Sequence, residues 1–183
     1  MKRSIFVLSL ALWGMTSAHA QVFNTGQTLS RGSFSLGFNP VILVDGGTDI
    51  GIYLQGGLGL TRGIDLSING LVAENRSFVG GDIEWGLMSG MPSLSLTTGA
   101  AAERGHLTLK TNADLTFPLP SVDLYMGPKL DIRIYDDDVT LPFWIFFGAE
   151  VRVKSTLAIP FEVDIGLTDH ATSLIGSGII VYF

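Results

Sequence analysis

Polar and apolar positions alternate along most of the chain after residue 32, with single carboxylates set between aliphatic neighbours. Ile64-Asp65-Leu66, Val122-Asp123-Leu124, Leu130-Asp131-Ile132 and Val163-Asp164-Ile165 all have this form. Successive side chains of a β-strand point to opposite faces, so each acid lies on one face and both its neighbours on the other. The alternation predicts ten extended segments, at 33–44, 50–60, 64–72, 78–87, 93–102, 107–117, 122–135, 143–153, 157–167 and 173–183. Turn chemistry separates them: Asp45-Gly46-Gly47-Thr48-Asp49, Thr61-Arg62-Gly63, Gly90-Met91-Pro92, Pro118-Leu119-Pro120-Ser121 and Lys154-Ser155-Thr156. The sheet these strands build has one polar and one greasy surface.

Two solvents fit such a sheet, and composition separates them. A secreted soluble sandwich or lipocalin-like barrel also alternates. Its solvent face and edges usually carry lysine, whereas beyond the first few residues only Lys110, Lys129 and Lys154 occur here. The polar parity is instead rich in glycine and in charges of both signs, as in the interior of a narrow barrel. Segments near ten residues suit a tilted crossing of the hydrocarbon core, while globular strands average about five or six. In lipid every backbone amide must be paired, which a closed sheet achieves. The predicted fold is therefore all-β: a closed, antiparallel, up-and-down transmembrane barrel of about ten strands, with eight as the alternative count.

Residues 1–20 read as a cleaved secretory signal: Lys2 and Arg3, an apolar run from Ile5 to Met15 too short to span a bilayer, then Ala18-His19-Ala20. Residues 21–183 form the barrel domain. The chain has no cysteine, which excludes disulfides, thiolate metal sites and lipoprotein attachment. Its formal charge of -6 argues against nucleic acid as a partner. No cofactor or metal centre is expected.

The last segment resembles the C-terminal strand of bacterial outer-membrane barrels, with Ile175, Ile179, Val181 and Phe183 at alternate positions; it departs from that pattern at Ser177. The resemblance implies an outer-membrane address and recognition of the terminal aromatic by the barrel-assembly machinery. The hairpin from Leu58 to Leu66, a strand, a Thr-x-Gly turn and a strand with an inward acid, is similar to a common motif of the same class. Trp85, Phe117, Phe143, Tyr182 and Phe183, near strand ends, look like interfacial girdle residues. The implied partners are the bilayer lipids and the assembly machinery, with the barrel itself a monomer.

On this register the inward parity carries Asp65, Asp82, Glu84, Asp114, Asp123, Asp131, Glu150, Glu162 and Asp164 against Lys110, Lys129, Arg133 and Arg152. With Tyr53, Tyr125, Trp144 and Phe146 they are expected to fill a narrow lumen as a network of ion pairs and hydrogen bonds. The functional expectation is a structural or surface-interaction role in the envelope. A narrow cation-favouring channel is the alternative, because acids outnumber bases. Asp136, Asp137 and Asp138 form an acidic loop open to weak contact with hard cations, without EF-hand spacing. Catalysis has a thinner basis. Asp169-His170 resembles the Asp/His pairing of omptin proteases, and His106-Leu107-Thr108 the His-x-Ser of lipid A deacylases. The rest of the first pattern is missing, and Thr108 stands where the second has serine. No catalytic residue is assigned.

Overall fold

The computed structural model describes residues 27–44, 47–103 and 105–183. The expected signal segment, with Lys2, Arg3 and Ala18-His19-Ala20, lies outside the described residues, as do the predicted turn residues Asp45 and Gly46. Among the described residues ten antiparallel strands follow one another as a meander. They are β1 (Phe34–Val44), β2 (Thr48–Thr61), β3 (Ile64–Ala73), β4 (Ser77–Met88), β5 (Ser93–Glu103), β6 (His106–Pro118), β7 (Val122–Ile134), β8 (Phe143–Lys154), β9 (Leu157–Gly166) and β10 (Ser173–Ser177 continuing as Ile179–Tyr182). Each strand pairs with the next, and β1 pairs with both β2 and β10, so the sheet closes on itself. Val139–Thr140 adds a two-residue extension along the end of β7.

Burial follows the sequence alternation. In β1 exposed and buried residues alternate without a break from Phe34 to Val44. Outward positions are apolar and open: Phe38 is 50% exposed, Ile68 70% and Ile175 52%. Away from strand ends, the charged residues of the strands point inward. This is inside-out for a water-soluble protein and is the surface of a transmembrane barrel, whose outer wall meets acyl chains. Strand lengths match the demand: β2 has 14 residues and β6 and β7 have 13 each, where a tilted crossing needs about 9–11.

The closing seam has a local defect. Pro40 in β1 and Pro160 in β9 flank Gly178 in β10, and neither proline has an N–H to contribute to a ladder. The register nonetheless continues through the gap, with Phe38 opposite Ile179 and Val41 opposite Gly176. The Gly178 amide donates to the Pro160 carbonyl at 3.3 Å. A side chain at Gly178 would run into the Asn39 amide and the Phe38 carbonyl. At the end of the seam Phe34 and Phe183 exchange two backbone hydrogen bonds, of 3.1 and 2.9 Å, and their rings stack at 4.5 Å.

Two features depart from the sequence expectation. Tyr182 is buried and points into the barrel, so it is no part of an outer girdle; it has the opposite parity to Val181 and Phe183. Residues 27–32, which show no periodicity, tuck into the end of the barrel that holds both chain termini of the sheet. Leu29 packs there against Ala158, Ile180 and Tyr182, and its amide donates to Asp65. Gly32 and Gly59 bond this segment to β2, through Gly32 N–H to the Gly59 carbonyl at 2.8 Å and Gly59 N–H to the Ser33 carbonyl at 3.0 Å.

Candidate functional site: the barrel lumen

The lumen is divided by two aromatic rings. Tyr125 of β7 and Phe146 of β8 are both buried, with ring centroids 6.4 Å apart. Glycines opposite them make the room: Gly148 faces Tyr125 in register and Gly127 faces Phe146. A Cβ on Gly148 would overlap the Tyr125 ring, and one on Gly127 would lie 2.8 Å from Phe146. Val41, Leu43 and Leu71 join these rings in one apolar cluster, with Tyr53, Phe78 and Leu174 packed against it. The inward parity is thus partly apolar, a feature the charge pattern alone does not suggest.

Below this layer, toward Leu29, lie the acids. Asp65 and Glu84 are opposite each other on β3 and β4. Asp114 is bonded by Asn112 at 2.6 Å and Ser95 at 3.5 Å. On another stretch of the wall the neighbouring strands β7 and β8 pair Asp123 with Arg152 at 2.9 Å, and the Tyr182 hydroxyl donates to Glu150 at 2.8 Å. A cavity of about 30 Å³ remains among Gln55, Asp65, Asp82, Glu84 and Thr97, room for one or two waters. Among the described residues no three carboxylate or imidazole groups are placed to hold a metal ion.

Above it a vestibule of about 130 Å³ opens toward the loops. Its two walls differ in character. Leu43, Tyr53, Leu71, Phe78 and Leu174 form an apolar side. The other side carries ion pairs: Lys110 to Asp82 at 2.9 Å and Lys129 to Asp164 at 3.3 Å, with Arg133 4.0 Å from Asp131. Lys110 also donates to Asn69 at 2.9 Å. Lys129 and Arg133 both lie over the Trp144 ring, at 5.4 and 5.6 Å. Glu162 lies beside Asp164 and Tyr125 on this side. At the rim Glu103 joins Arg76 at 2.9 Å and His106 at 3.0 Å.

The charged residues expected inside therefore all line the lumen, an acid-rich set below the rings and a mixed set above them, with Asp82 bordering both and Lys129 in electrostatic reach of Asp114. Ile175, Ile179, Val181 and Phe183 share the outward parity of β10. Asp136, Asp137 and Asp138 are exposed in a tight turn, where Tyr135 N–H donates to the Asp138 carbonyl at 2.9 Å and the Asp138 side chain accepts from Val139 N–H at 2.8 Å. His106 is engaged with Glu103 and stacks on Tyr135 at 4.4 Å. The His170 carbonyl accepts a bond from Arg133 at 2.9 Å.

No protein-family model matches the chain, and no curated protein matches it in sequence. Among solved structures, the porin KdgM in complex with a disordered oligogalacturonate is similar at 10% identity and TM-score 0.48, covering 81% of this chain and 99% of that one. The N-terminal β-barrel domain of Pseudomonas aeruginosa OprF gives 13% identity and TM-score 0.41, over 84% and 98%. The translocator domain of the autotransporter NalP from Neisseria meningitidis gives 10% identity and TM-score 0.48, over 98% and 95%. At these values the likeness is one of general form, and the architecture rests on the strand pairing and burial given above.

Proposed function

We propose that this chain is an outer-membrane barrel with a non-conducting bore and a structural or surface-interaction role in the bacterial envelope. The observation that carries this reading is the obstructed lumen. Tyr125 and Phe146 lie across its middle, and Leu29 fills the lower end against Ile180 and Tyr182. An apolar outer wall favours lipid as its permanent partner, and the C-terminal alternation to Phe183 favours handling by the barrel-assembly machinery. The barrel is read as a monomer, and no enzymatic step is assigned to it.

Recording from refolded protein in a planar bilayer tests the reading, with an unboiled gel sample establishing that the barrel has folded. The expected trace is flat. Discrete conductance steps would overturn it and favour the second reading, a narrow cation-selective path. That path has one observation behind it, the surplus of carboxylates along Asp65, Glu84 and Asp114 in the lower lumen. Acidic side chains lining a constriction admit cations in preference to anions.

A further inference from the structure

Among the described residues the exposed charges are sorted by end. Every exposed carboxylate side chain, Glu74, Asp136, Asp137, Asp138 and Asp169, lies in the connections β3–β4, β7–β8 and β9–β10. Every exposed lysine or arginine, Arg31, Arg62 and Lys154, lies at the opposite end, which holds the termini of the sheet. The acids nearest that end, Asp65, Glu84, Asp114, Asp123 and Glu150, are all buried in the lumen, and residues 1–26 contain no acid. None of the three cations is in an ion pair among the described residues. Even with a terminal carboxylate at Phe183 counted, three exposed positive charges stand against one negative. Each cation also stands at the margin of the outer apolar wall. Arg62 comes just after Leu60, Lys154 just after Val153, and Arg31 just before Phe34, and all three apolar residues are exposed. The stacked pair of exposed rings, Phe34 and Phe183, marks the same margin. Long basic side chains lay their stems along apolar surface and reach with their heads for polar groups beyond it.

From this we infer that the basic end is a docking surface for anionic phospholipid headgroups, with Arg31, Arg62 and Lys154 as separate contacts along the run β8–β9–β10–β1–β2–β3. The occupant follows from charge complementarity and place: the cations have no partner in the protein and border the wall that meets acyl chains. The inference rests on that lipid-facing wall and adds which lipid gathers at one end of it. A lysine or arginine at a membrane surface favours anionic over neutral lipid by about fivefold, and the attraction fades within a Debye length of about 10 Å at 0.1 M salt. The exposed acids of the loop end repel the same headgroups, so the two ends of one barrel sort lipids in opposite senses.

The chain has no cysteine, so one introduced thiol carries one fluorophore. Ser155→Cys places it beside Lys154, Val139→Cys beside Asp138, and Ile68→Cys on the outer wall. Each labelled protein is refolded into phosphatidylcholine nanodiscs containing a small fraction of spin-labelled lipid, either phosphatidylglycerol or phosphatidylcholine with the nitroxide at the same position. Comparing the two quenchers at one site cancels the depth of the fluorophore. At Ser155→Cys phosphatidylglycerol is expected to quench as though enriched about fivefold at low salt, and the excess is expected to shrink at high salt. At Val139→Cys it is expected to quench less than phosphatidylcholine. Combining Arg31→Gln, Arg62→Gln and Lys154→Gln is expected to abolish the preference at Ser155→Cys, and Arg62→Glu with Lys154→Glu to reverse it, with quenching at Ile68→Cys unchanged in both. Equal quenching by the two lipids at Ser155→Cys while Ile68→Cys is quenched would overturn the assignment, leave the lipid-facing wall standing, and turn the basic end over to a soluble anionic partner. A preference that survives the triple glutamine variant would overturn it as well. Absence of quenching at Ile68→Cys would remove the wall and the inference together.

Discussion

Replacing Ile68 by arginine isolates the physical premise of the fold. Ile68 sits in the middle of β3, opposite Gly56 of β2 and Gly81 of β4, and is 70% exposed. Ile50, near the loop end of β2, is 71% exposed. Were water the surrounding solvent, the two sites would be equivalent, and arginine at either would change stability by no more than about 0.5 kcal/mol. In a bilayer they differ. Arginine at the midplane costs about 2–4 kcal/mol and near the interface about 0–1 kcal/mol. The neighbouring glycines present no side chain along which the guanidinium stem is shielded, so the upper part of that range applies. The expected gap between Ile68→Arg and Ile50→Arg is therefore about 2–4 kcal/mol, roughly 30- to 850-fold in the folding equilibrium. Urea titration of the two variants in lipid vesicles, followed by tryptophan fluorescence and compared at equal slope, measures it. If Ile68→Arg lies within about 0.5 kcal/mol of both Ile50→Arg and the parent chain, the outer wall is not in contact with lipid.

Further predictions concern the lumen. Arg152→Met strands Asp123 beside Glu150 with its ion pair gone, and is expected to lower stability by about 3 kcal/mol; Asp123→Asn combined with Arg152→Met recovers most of that loss, as a double-mutant cycle in urea would reveal. Gly148→Leu drives a side chain into the space of the Tyr125 ring, and is expected to cost about 1–3 kcal/mol and to change the near-ultraviolet circular dichroism. An unaltered aromatic spectrum in folded Gly148→Leu would mean that Tyr125 does not cross the bore as described.

Much of this architecture is legible in the sequence because the alternation is local and nearly unbroken. The segment read at 64–72 is Ile64–Ala73 in the structure, and that at 107–117 is His106–Pro118. The inward placement of Asp65 and Asp131 follows from their immediate neighbours. What the pattern misses depends on residues far apart in the chain. The tuck of Leu29 under Asp65 has no periodic signature, since a short non-repeating segment looks like any linker. The interruption at Gly178 comes from Pro40 and Pro160, which only the closed sheet brings beside it. Nearness to a strand end suggests an outward Tyr182, although its parity points inward. Val41, Leu43 and Leu71 share the inward parity as well, but a pattern read from charges places only the aromatics Tyr53, Tyr125, Trp144 and Phe146 beside them and gives no aliphatic residue a place inside. The division of the lumen into an acidic floor and a two-sided upper chamber rests on such residues.

The seam between Phe34 and Phe183 has a consequence for how the barrel comes into being. Nine of the ten strand pairings join neighbours along the chain and can form hairpin by hairpin, while the tenth joins segments at opposite ends of the domain. Contacts of such long range are the slowest to form, because a large loop must close before any bond rewards it. Until then β1 and β10 are two raw margins with unpaired amides, able to pair with any other extended polypeptide. A chain cut anywhere before β10 stays permanently in that open form, so proteolysis ahead of closure yields sticky fragments, not smaller barrels.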